Sequence, residues 1–399
     1  MPVPIRAGAM ALVLALIASA VAARADTAPC GGDFATWMAQ LQADAIAAGH
    51  APDLVRRVLG PARPDPAVLK ADRAQQVFQR PFLDFSGRLA SRGRLDKARQ
   101  LARTHQALFA RASQATGVPA GILLAFWAFE TDFGQVQGDF STRDALVTLA
   151  HDCRRPDLFR PQIMALLSLA GRGDLDPATT TGAWAGEIGQ VQMLPRDILV
   201  RGVDGDGDGR VDLKGSIPDA IMSGAGMLRD LGWRADEPWL QEIIVPDDLD
   251  WGLTGLDRAR PMAEWQALGV RARAGSLPPG EGAILLPQGR KGPAFMVWPN
   301  FQVLFEWNRS LVYVTTAAWF ATRIEGADPL VAGQPEPGLD GEGMRRLQGL
   351  LTARGHDVGA IDGILGAMTR RAVQAEQLRL GLPADAWPTP ALLRELDRG

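Results

Sequence analysis

The chain is poor in the residues on which metal and redox chemistry usually depend. Its 399 residues include two cysteines and four histidines. The histidines lack the spacing of metal ligands, and we expect each to be a surface or core residue: His50, His105, His151 and His356. The sequence also has neither a Gly-x-Ser-x-Gly elbow nor a phosphate-binding loop. We therefore expect no organic cofactor, no serine hydrolase and no nucleotide-dependent enzyme.

An excess of positive charge is also absent. The formal net charge is −3, with 42 Lys and Arg against 45 Asp and Glu. A mildly acidic chain without a basic cluster does not attract a polyanion, so we expect no nucleic-acid partner. Hydrophobic residues make up 47% of the chain, which is a globular proportion and sufficient for two or three domains.

Long uncharged stretches are confined to the N-terminus. Arg6 is followed by an uncharged segment, Ala7 to Ala23, and Ala23-Arg24-Ala25 fits a signal-peptidase site. We therefore predict a signal peptide over 1–25, export to the periplasm or cell envelope, and no membrane span after its removal. An uncleaved anchor is the alternative, because the segment barely reaches membrane length. The residues before Cys30 form a poor acylation site, so a lipoprotein is not expected.

The two cysteines, Cys30 and Cys153, both lie beyond the predicted cleavage site. In an oxidising compartment an even number of cysteines favours a disulfide, here one that closes a long loop. Two buried free thiols are the alternative.

The apolar pattern divides the chain into a large and a small part. Helical spacing dominates 26–326, for example in Phe34–Ala48, Leu95–Thr116 and Phe301–Ile324. Trp251–Pro299 is rich in Gly, Pro and short apolar runs, which indicates a small strand-bearing insert. A Pro- and Gly-rich linker is predicted over 327–340 and a compact helical domain over 341–399.

One segment combines an all-apolar helix with a single carboxylate. The helix predicted from Pro119 is apolar on every face for ten residues and then presents Glu130 shortly before Gly134. The C-terminal end of the helix dipole and the surrounding aromatic residues both favour a protonated carboxyl group. A general acid near neutral pH needs that property. The alternative is a glutamate that turns outward at a helix end.

A second segment, Gly182 to Pro195, is rich in small residues and carries two amides, Gln190 and Gln192. Small residues allow close backbone approach, and neutral amides suit sugar hydroxyl and acetamido groups. Alone, this pattern is weak evidence.

An acidic loop follows. Asp204, Asp206 and Asp208 occupy positions 1, 3 and 5 of a calcium-loop pattern, and Arg210 would contribute its backbone carbonyl. Position 12 is Gly215 instead of Glu, and Asp219 could supply the missing carboxylate. We predict a Ca²⁺ ion that fixes the loop; a solvated acidic turn is the alternative.

Together these segments closely resemble the lytic murein transglycosylase B family over about 33–326. The resemblance lies in Glu-Thr-Asp-Phe-Gly at 130–134, Ala-Trp-Ala-Gly-x-x-Gly-Gln-x-Gln-Met-x-Pro at 183–195, and Glu-Trp-Asn-Arg-Ser at 306–310. It implies a lysozyme-like fold and cleavage of the β-1,4 bond between N-acetylmuramic acid and N-acetylglucosamine in peptidoglycan. It also implies a 1,6-anhydro product and Glu130 as the sole catalytic acid and base.

The resemblance further implies which residues bind the sugar. These are Gln192, with Gln190 and Met193 beside it, and Asn308 and Trp307. Trp127, Trp298 and Trp307 are the candidates for lining a sugar groove.

Three residues depart from the family pattern: Trp307 replaces a frequent Tyr, Ala183 a serine, and Glu187 a small or apolar residue. A hydrolytic muramidase that uses Glu130 and Glu187 is therefore one alternative. A non-catalytic murein-binding scaffold is the other.

The tail resembles the small three-helix peptidoglycan-binding domain over about 341–397. The match rests on Asp-Gly-x-x-Gly-x-x-Thr-x-x-Ala-Val-x-x-x-Gln at 362–377, in which Glu376 replaces a usual aromatic residue. Weakened binding would be one consequence of that replacement. The expected protein is thus mainly α: a lysozyme-like catalytic domain with a small strand-bearing insert, and a three-helix C-terminal domain. Its expected partner is peptidoglycan, and the sequence does not identify any protein partners.

Overall fold

The computed structural model describes residues 30–74 and 80–398. The predicted signal peptide lies outside the described residues. The helices of the larger domain are α1 Phe34–Ala47, α2 Pro52–Leu59, α3 Pro66–Arg73, α4 Phe82–Leu89, α5 Arg92–Thr104, α6 Gln106–Thr116, α7 Ala120–Thr131, α8 Thr142–His151, α9 Pro156–Arg172, α10 Pro195–Arg201, α11 Ile217–Asp230, α12 Met262–Ala267, α13 Pro299–Trp307 and α14 Leu311–Ile324. Those of the C-terminal domain are α15 Gly341–Ala353, α16 Ala367–Arg379 and α17 Pro390–Arg398.

Strands form a small part of the described chain. A two-stranded ribbon pairs β1 Phe140–Ser141 with β2 Thr181–Gly182. A five-stranded antiparallel sheet is inserted between α11 and α13, in the order β4-β6-β7-β3-β5. Its strands are β3 Leu240–Ile244, β4 Arg260–Pro261, β5 Arg271–Ala272, β6 Glu281–Leu285 and β7 Phe295–Val297. We call residues 240–297 the insert.

Helix α7 forms the centre of the larger domain. Eight consecutive residues, 121–128, are buried, as expected for a helix that is apolar on every face. It packs against α14, α5 and α11 in one core. The helix ends where Asp132 and Phe133 adopt positive φ angles of 51° and 62°. This sharp ending fixes the direction in which the last turn, with Glu130, points.

The predicted helix-rich fold with a strand-bearing insert and a three-helix tail is confirmed, but three boundaries differ. Leu95–Thr116 is two helices, since the chain turns at His105 between α5 and α6. Phe301–Ile324 is likewise divided between α13 and α14 by residues 308–310. The insert begins at Leu240 and not at Trp251, because β3 pairs with β7 near the middle of the sheet.

A disulfide joins Cys30 to Cys153, across 123 residues of sequence. It attaches the start of the described chain to the turn between α8 and α9. The backbone supports the same contact, since the Gly31 N–H donates to the carbonyl of His151. The expected pairing is therefore present in the structure.

The C-terminal domain lies against the insert through buried polar contacts. The Gln374 side-chain amide donates to the carbonyls of Trp251 and Thr254 at 3.2 and 2.8 Å. The Arg370 guanidinium donates to the carbonyls of Leu286 and Pro287.

The same interface includes contacts to the turn at 289–290. The Arg290 N–H donates to Asp385. Gly289 adopts a φ of +73°, and a Cβ atom there would lie 2.7 Å from the Cβ of Trp387. Only glycine fits this turn without a shift of one domain.

Within the described residues, no single helix is both long and apolar enough to cross a membrane. The pair α6 and α7 meets that criterion together by length and composition, with a bend of 112° between them.

Candidate active site

A cleft of about 1380 Å³ runs between the larger domain and the C-terminal domain. On one side it is lined by Trp184, Glu187, Trp307 and Asn308. The opposite wall belongs to the C-terminal domain and includes residues of the 362–369 segment, the region of its peptidoglycan-binding signature. Any polymer lying in the cleft would touch both domains.

Glu130 lies at the end of α7, is partly exposed, and is bonded by Trp307, which lines the cleft. Its Oε1 accepts two hydrogen bonds: one from the Tyr313 hydroxyl at 2.5 Å and one from the Trp307 indole N–H at 3.1 Å. Because Oε1 is occupied by two donors, the proton of the neutral acid belongs on Oε2. The two donors thus fix both the orientation of the carboxyl group and the oxygen that can release a proton.

The surroundings keep this carboxyl group protonated near neutral pH. Burial raises the pKa of Glu130 to about 7, against the effect of the hydrogen bonds from Tyr313 and Trp307, and the charge of Glu187 raises it further. Burial and the adjacent Glu130 raise the pKa of Tyr313 well above its usual value, so Tyr313 remains a donor. Half of the Glu130 carboxyls therefore carry a proton at about pH 7.

Aromatic packing holds the two donors in place. The Trp307 ring stacks on Phe126 with ring centroids 4.5 Å apart and an angle of 21° between the planes. Tyr313 lies beside Phe126 and Phe129 at 6.3 and 6.0 Å. The all-apolar helix α7 therefore supplies both the catalytic candidate and the surface that orients its donors.

The predicted amides lie near this site but do not face the cleft. Gln190 is buried and accepts from the Trp127 indole at 3.0 Å, and its backbone carbonyl accepts from Thr131 at 2.6 Å. These bonds join the 182–195 loop to the end of α7, which makes Gln190 a positioning residue and corrects the expected sugar contact. Its side chain is also 5% exposed, too little for such a contact.

Gln192 and Met193 likewise contact other residues of the protein, Gln192 by hydrogen bonds and Met193 by packing. Gln192 has a φ of +52°, and its side-chain amide donates to the carbonyls of Gln137 and Gly189 at 3.2 and 2.8 Å. Met193 is 2% exposed and packs in the core formed by α1, α2, α8 and α9. Gln192 is partly exposed, and neither Gln192, Met193 nor Glu130 itself is among the residues that line the cleft, so the expected sugar contact of Gln192 stays a prediction.

The aromatic candidates divide in the same way. Trp127 and Trp298 are core residues, with 1% and 3% exposure, and do not line the cleft. Trp307 and Asn308 do line it, as expected. Sequence reasoning missed Trp184, which lines the cleft, and Tyr313, which bonds Glu130. Tyr313 carried a usable signal, because it is the single tyrosine of the chain.

Glu187 lies in the cleft wall, close enough to Glu130 to affect its ionisation. Burial raises the pKa of Glu187, whereas hydrogen bonds from the backbone N–H groups of Glu187 and Ala185 and the charge of Arg155 lower it. One of its oxygens, Oε2, is buried without a hydrogen-bond partner. Ala183 helps to set this turn, because its N–H donates to the Glu187 carbonyl at 3.0 Å.

The acidic loop brings together only part of the predicted metal site. Carboxylate oxygens of Asp204, Asp206 and Asp219 lie within 4.8 Å of one another. Asp208 is outside this group, and its carboxylate accepts from the backbone N–H of Arg210 at 2.9 Å. Three converging hard oxygen donors suit a divalent cation such as Ca²⁺.

In the C-terminal domain, Glu376 does not line the cleft. Its side chain is buried and bonds Arg379 and His356, each at 2.8 Å. Glu376 is therefore part of an internal ion cluster, and the change from the usual aromatic residue to glutamate does not alter the cleft surface.

The fold and the site together define a lysozyme-like enzyme in which Glu130 is the carboxylic acid held by two donors. The family model of the transglycosylase SLT domain matches residues 33–322, and a model for a peptidoglycan binding domain matches 340–396. The chain therefore belongs to the SLT transglycosylase family and carries a peptidoglycan-binding domain at its C-terminal end.

Comparisons with individual relatives agree with this family assignment. The membrane-bound lytic murein transglycosylase B of Escherichia coli K12 is 29% identical over 214 residues, which cover 52% of this chain and 57% of that protein. The crystal structure of SltB3 from Pseudomonas aeruginosa, in complex with NAG-anhNAM-pentapeptide, superimposes with a TM-score of 0.85. That comparison has 35% identity and covers 92% of this chain and all of SltB3. The soluble lytic transglycosylase SltB1 of the same organism gives 0.64, at 27% identity over 73% of this chain and 99% of SltB1.

Proposed function

We propose that this protein cleaves the β-1,4 bond between N-acetylmuramic acid and N-acetylglucosamine in peptidoglycan and leaves a 1,6-anhydro end, with Glu130 as the only acid and base. The single observation that carries the proposal is the enclosed Glu130 carboxyl group with two donors on one oxygen. SltB3, which shares 35% of the sequence, was crystallised with a fragment that contains the anhydro sugar.

Two proton transfers complete the reaction. Neutral Glu130 gives the proton on Oε2 to the glycosidic oxygen as the bond from that oxygen to C1 of the muramic acid breaks. The resulting carboxylate then takes the proton of the C6 hydroxyl group, whose oxygen forms the new bond to C1. Glu130 ends protonated as it began, and no water is consumed. A pKa of about 7 suits both steps.

Hydrolysis through Glu187 is a weaker alternative. A carboxylate that activates water must be ionised and must reach the water. Burial favours the neutral form of Glu187, and its Oε2 is enclosed by protein. Both features oppose a role as the base for water.

The products of murein digestion test the proposal. Sugar ends that are one water lighter than hydrolysed ends, found by mass spectrometry of released muropeptides, are the expected result. Ends that contain the added water would reject the transglycosylase mechanism and point to Glu187.

A substitution tests the role of Glu130 separately. Glu130→Gln should lower the rate by 10² to 10⁴-fold or more, since this is the usual contribution of a general acid, while binding to sacculi is retained. Binding without product release by the wild-type protein would instead favour the non-catalytic scaffold.

We further propose that Asp204, Asp206 and Asp219 hold a Ca²⁺ ion whose role is structural. The support is their convergence within 4.8 Å. Added Ca²⁺ should raise the melting temperature, by a few degrees at saturation, because the ion binds only the folded loop. Asp206→Asn should remove the increase. Asp208→Asn is the matched control and should retain it; an equal loss in both variants would contradict the assignment.

The site of action follows from the substrate. A protein that degrades murein must reach the cell envelope, and the uncharged N-terminal segment together with the Cys30–Cys153 disulfide supports export. Cell fractionation tests this: the processed protein is expected in the periplasmic fraction, with residues 1–25 removed.

A further inference from the structure

A short segment between the acidic loop and α11, residues 212–214, lies directly against Gln190. The backbone N–H of Gln190 donates to the carbonyl of Leu213 at 2.9 Å, and its side-chain amide donates to the carbonyl of Lys214 at 3.3 Å. The two backbones touch at Gly189, because a Cβ atom there would lie 2.6 Å from the carbonyl oxygen of Leu213. A change in the path of 212–214 would therefore displace Gln190.

Gln190 in turn holds the last turn of α7. Its backbone carbonyl accepts from the hydroxyl group of Thr131, the residue after Glu130, at 2.6 Å. Its Oε1 accepts from the Trp127 indole at 3.0 Å, and a Cβ atom on Gly134 would lie 2.6 Å from the same oxygen. Residues on both sides of Glu130 are thus attached to Gln190, so the position of Gln190 sets the direction of the catalytic side chain.

A second connection joins the same segment to the turn after α7. The side-chain amide of Gln137 donates to the carbonyls of Lys214 and Gly134, each at 3.1 Å. The ammonium group of Lys214 also donates to the carbonyl of Thr181 in β2. Lys214 therefore contacts the loop of Gln190, the end of α7 and the β-ribbon.

Asp212 shapes this segment. Its Oδ1 accepts from the backbone N–H groups of Lys214 and Gly215, each at 2.9 Å, which is the arrangement of an Asx turn. Its own N–H donates to the buried carboxylate of Asp219 at 2.7 Å. The side chain of Asp212 is exposed and is not among the residues that line the cleft. Any effect of Asp212 on catalysis must therefore pass through the protein.

We propose that Asp212 is a positioning residue for Glu130, acting through the carbonyls of Leu213 and Lys214 and through Gln190. This inference rests on the proposed role of Glu130 as acid and base. The turn at Asp212 places the two carbonyls, the carbonyls place Gln190, and Gln190 places the end of α7. The acidic loop thus contributes to the rate of the reaction as well as to the stability of the fold.

The single tyrosine of the chain permits a direct measurement. Tyr313 donates to Glu130 at 2.5 Å, so a ¹³C label on its hydroxyl-bearing ring carbon gives one NMR signal that should follow the ionisation of Glu130. The midpoint of this titration is expected at about pH 7 in the wild type. The titration needs no turnover, so it reports on the site whether or not the protein cleaves murein.

Asp212→Ala should lower this midpoint, because a looser helix end admits water and reduces the desolvation of the carboxyl group. It should also lower kcat about tenfold with KM unchanged, the effect of roughly one hydrogen bond lost in the transition state. Asp212→Asn keeps an acceptor oxygen and should restore most of both values. Asp33→Ala is the matched control and should change neither, since Asp33 is also exposed and accepts two hydrogen bonds, both from Thr36 at the start of α1.

A double variant tests the path through Gln190. Gln190→Met keeps the length of the side chain and removes its polar contacts, so Asp212→Ala should lower kcat less in that background than in the wild type. A saturating Ca²⁺ concentration throughout keeps the proposed ion site constant.

Two outcomes would overturn the proposal: a folded Asp212→Ala protein with an unchanged Tyr313 titration and kcat, or full additivity with Gln190→Met. Asp212→Ser, which offers only a shorter acceptor, replaces the alanine variant if that variant fails to fold. The anhydro-product assay on the wild-type protein decides the proposed function independently.

Discussion

At the domain interface, Gln374 and Arg370 donate to backbone carbonyls, whereas in the cleft wall Arg155 bonds a carboxylate, that of Asp72. At the interface, Gln374 donates to two carbonyls of the insert and Arg370 to two more. In the cleft, Arg155 and Glu187 each contain a buried atom without a partner. The Nε of Arg370 at the interface is also buried without a partner, so the two regions differ in what their other donors bond: carbonyls of the insert at the interface, and the carboxylate of Asp72 for Arg155 in the cleft wall.

Satisfied and unsatisfied buried polar groups contribute differently to the stability of the fold. A satisfied buried hydrogen bond contributes about 1 kcal/mol, while an unsatisfied group costs about 1–3 kcal/mol. The carbonyl contacts of Gln374 and Arg370 belong to the first kind. The unpaired Nε atoms of Arg155 and Arg370 and the unpaired Oε2 of Glu187 belong to the second.

The largest expected effect concerns Glu130. Because its pKa is about 7 in the folded protein and 4.5 otherwise, the folded state binds the extra proton, and the free energy of unfolding falls as pH rises from about 4.5 to 7. Glu130→Gln cannot lose a proton, so it should be more stable than the wild type at pH 8, by up to about 3 kcal/mol. At pH 4 the two should be nearly equal. Urea unfolding at both pH values measures this; a pH-independent difference would contradict it.

A single added methyl group should disrupt the interface between the insert and the C-terminal domain. Gly289→Ala would place a Cβ atom 2.7 Å from Trp387. Gly275→Ala is a matched control in the same insert, since its φ is +70° and nothing lies within 4 Å of the added atom. Both variants bear the cost of a positive φ, but only Gly289→Ala should separate the domains, at about 2 kcal/mol.

Limited proteolysis with a broad-specificity protease measures the separation. Cleavage within 327–340 should be faster in Gly289→Ala than in Gly275→Ala. Equal cleavage rates would mean that the interface tolerates the added atom and is less closely packed than the 2.7 Å distance to Trp387 indicates.

The smallest expected effect concerns Tyr313, which donates a hydrogen bond to Glu130. Tyr313→Phe removes the shorter hydrogen bond to Glu130, a bond that lowers the pKa of that carboxyl group. Activity should fall about tenfold, through kcat and not KM, because Tyr313 lies behind the cleft wall. The loss of activity at high pH should also move upward. A pH profile unchanged from that of the wild type would argue against this role.

Local patterns predicted the enclosed carboxyl group of Glu130, while its proposed catalytic role came from the resemblance to the family. An all-apolar helix that ends in one carboxylate indicates an enclosed acid, because both burial and the helix end act within that single segment. The antiparallel sheet was predicted with a late start, since β3, Leu-Gln-Glu-Ile-Ile, is a short strand whose pairing with β7 depends on residues more than fifty positions away.

The details of the cleft wall required the folded chain. Gln190, Gln192 and Gly189 form one short motif, and nothing in its spacing distinguishes an amide that meets a sugar from one that secures the loop. In the folded chain, Gln190 bonds Trp127 and Gln192 bonds Gln137, each about sixty residues away, and these contacts secure the loop. Similarly, the three carboxylates that converge in the acidic loop are selected by the position of α11, which carries Asp219.

The interface has a consequence for how the sequence can diverge. The C-terminal domain contacts the insert through the main-chain oxygens of Trp251, Thr254, Leu286 and Pro287 and the main-chain nitrogen of Arg290. Main-chain atoms are present whatever side chain the position bears. The insert can therefore exchange many of its residues over evolutionary time while its partner domain stays docked, provided that the path of its backbone and the glycine at 289 are preserved.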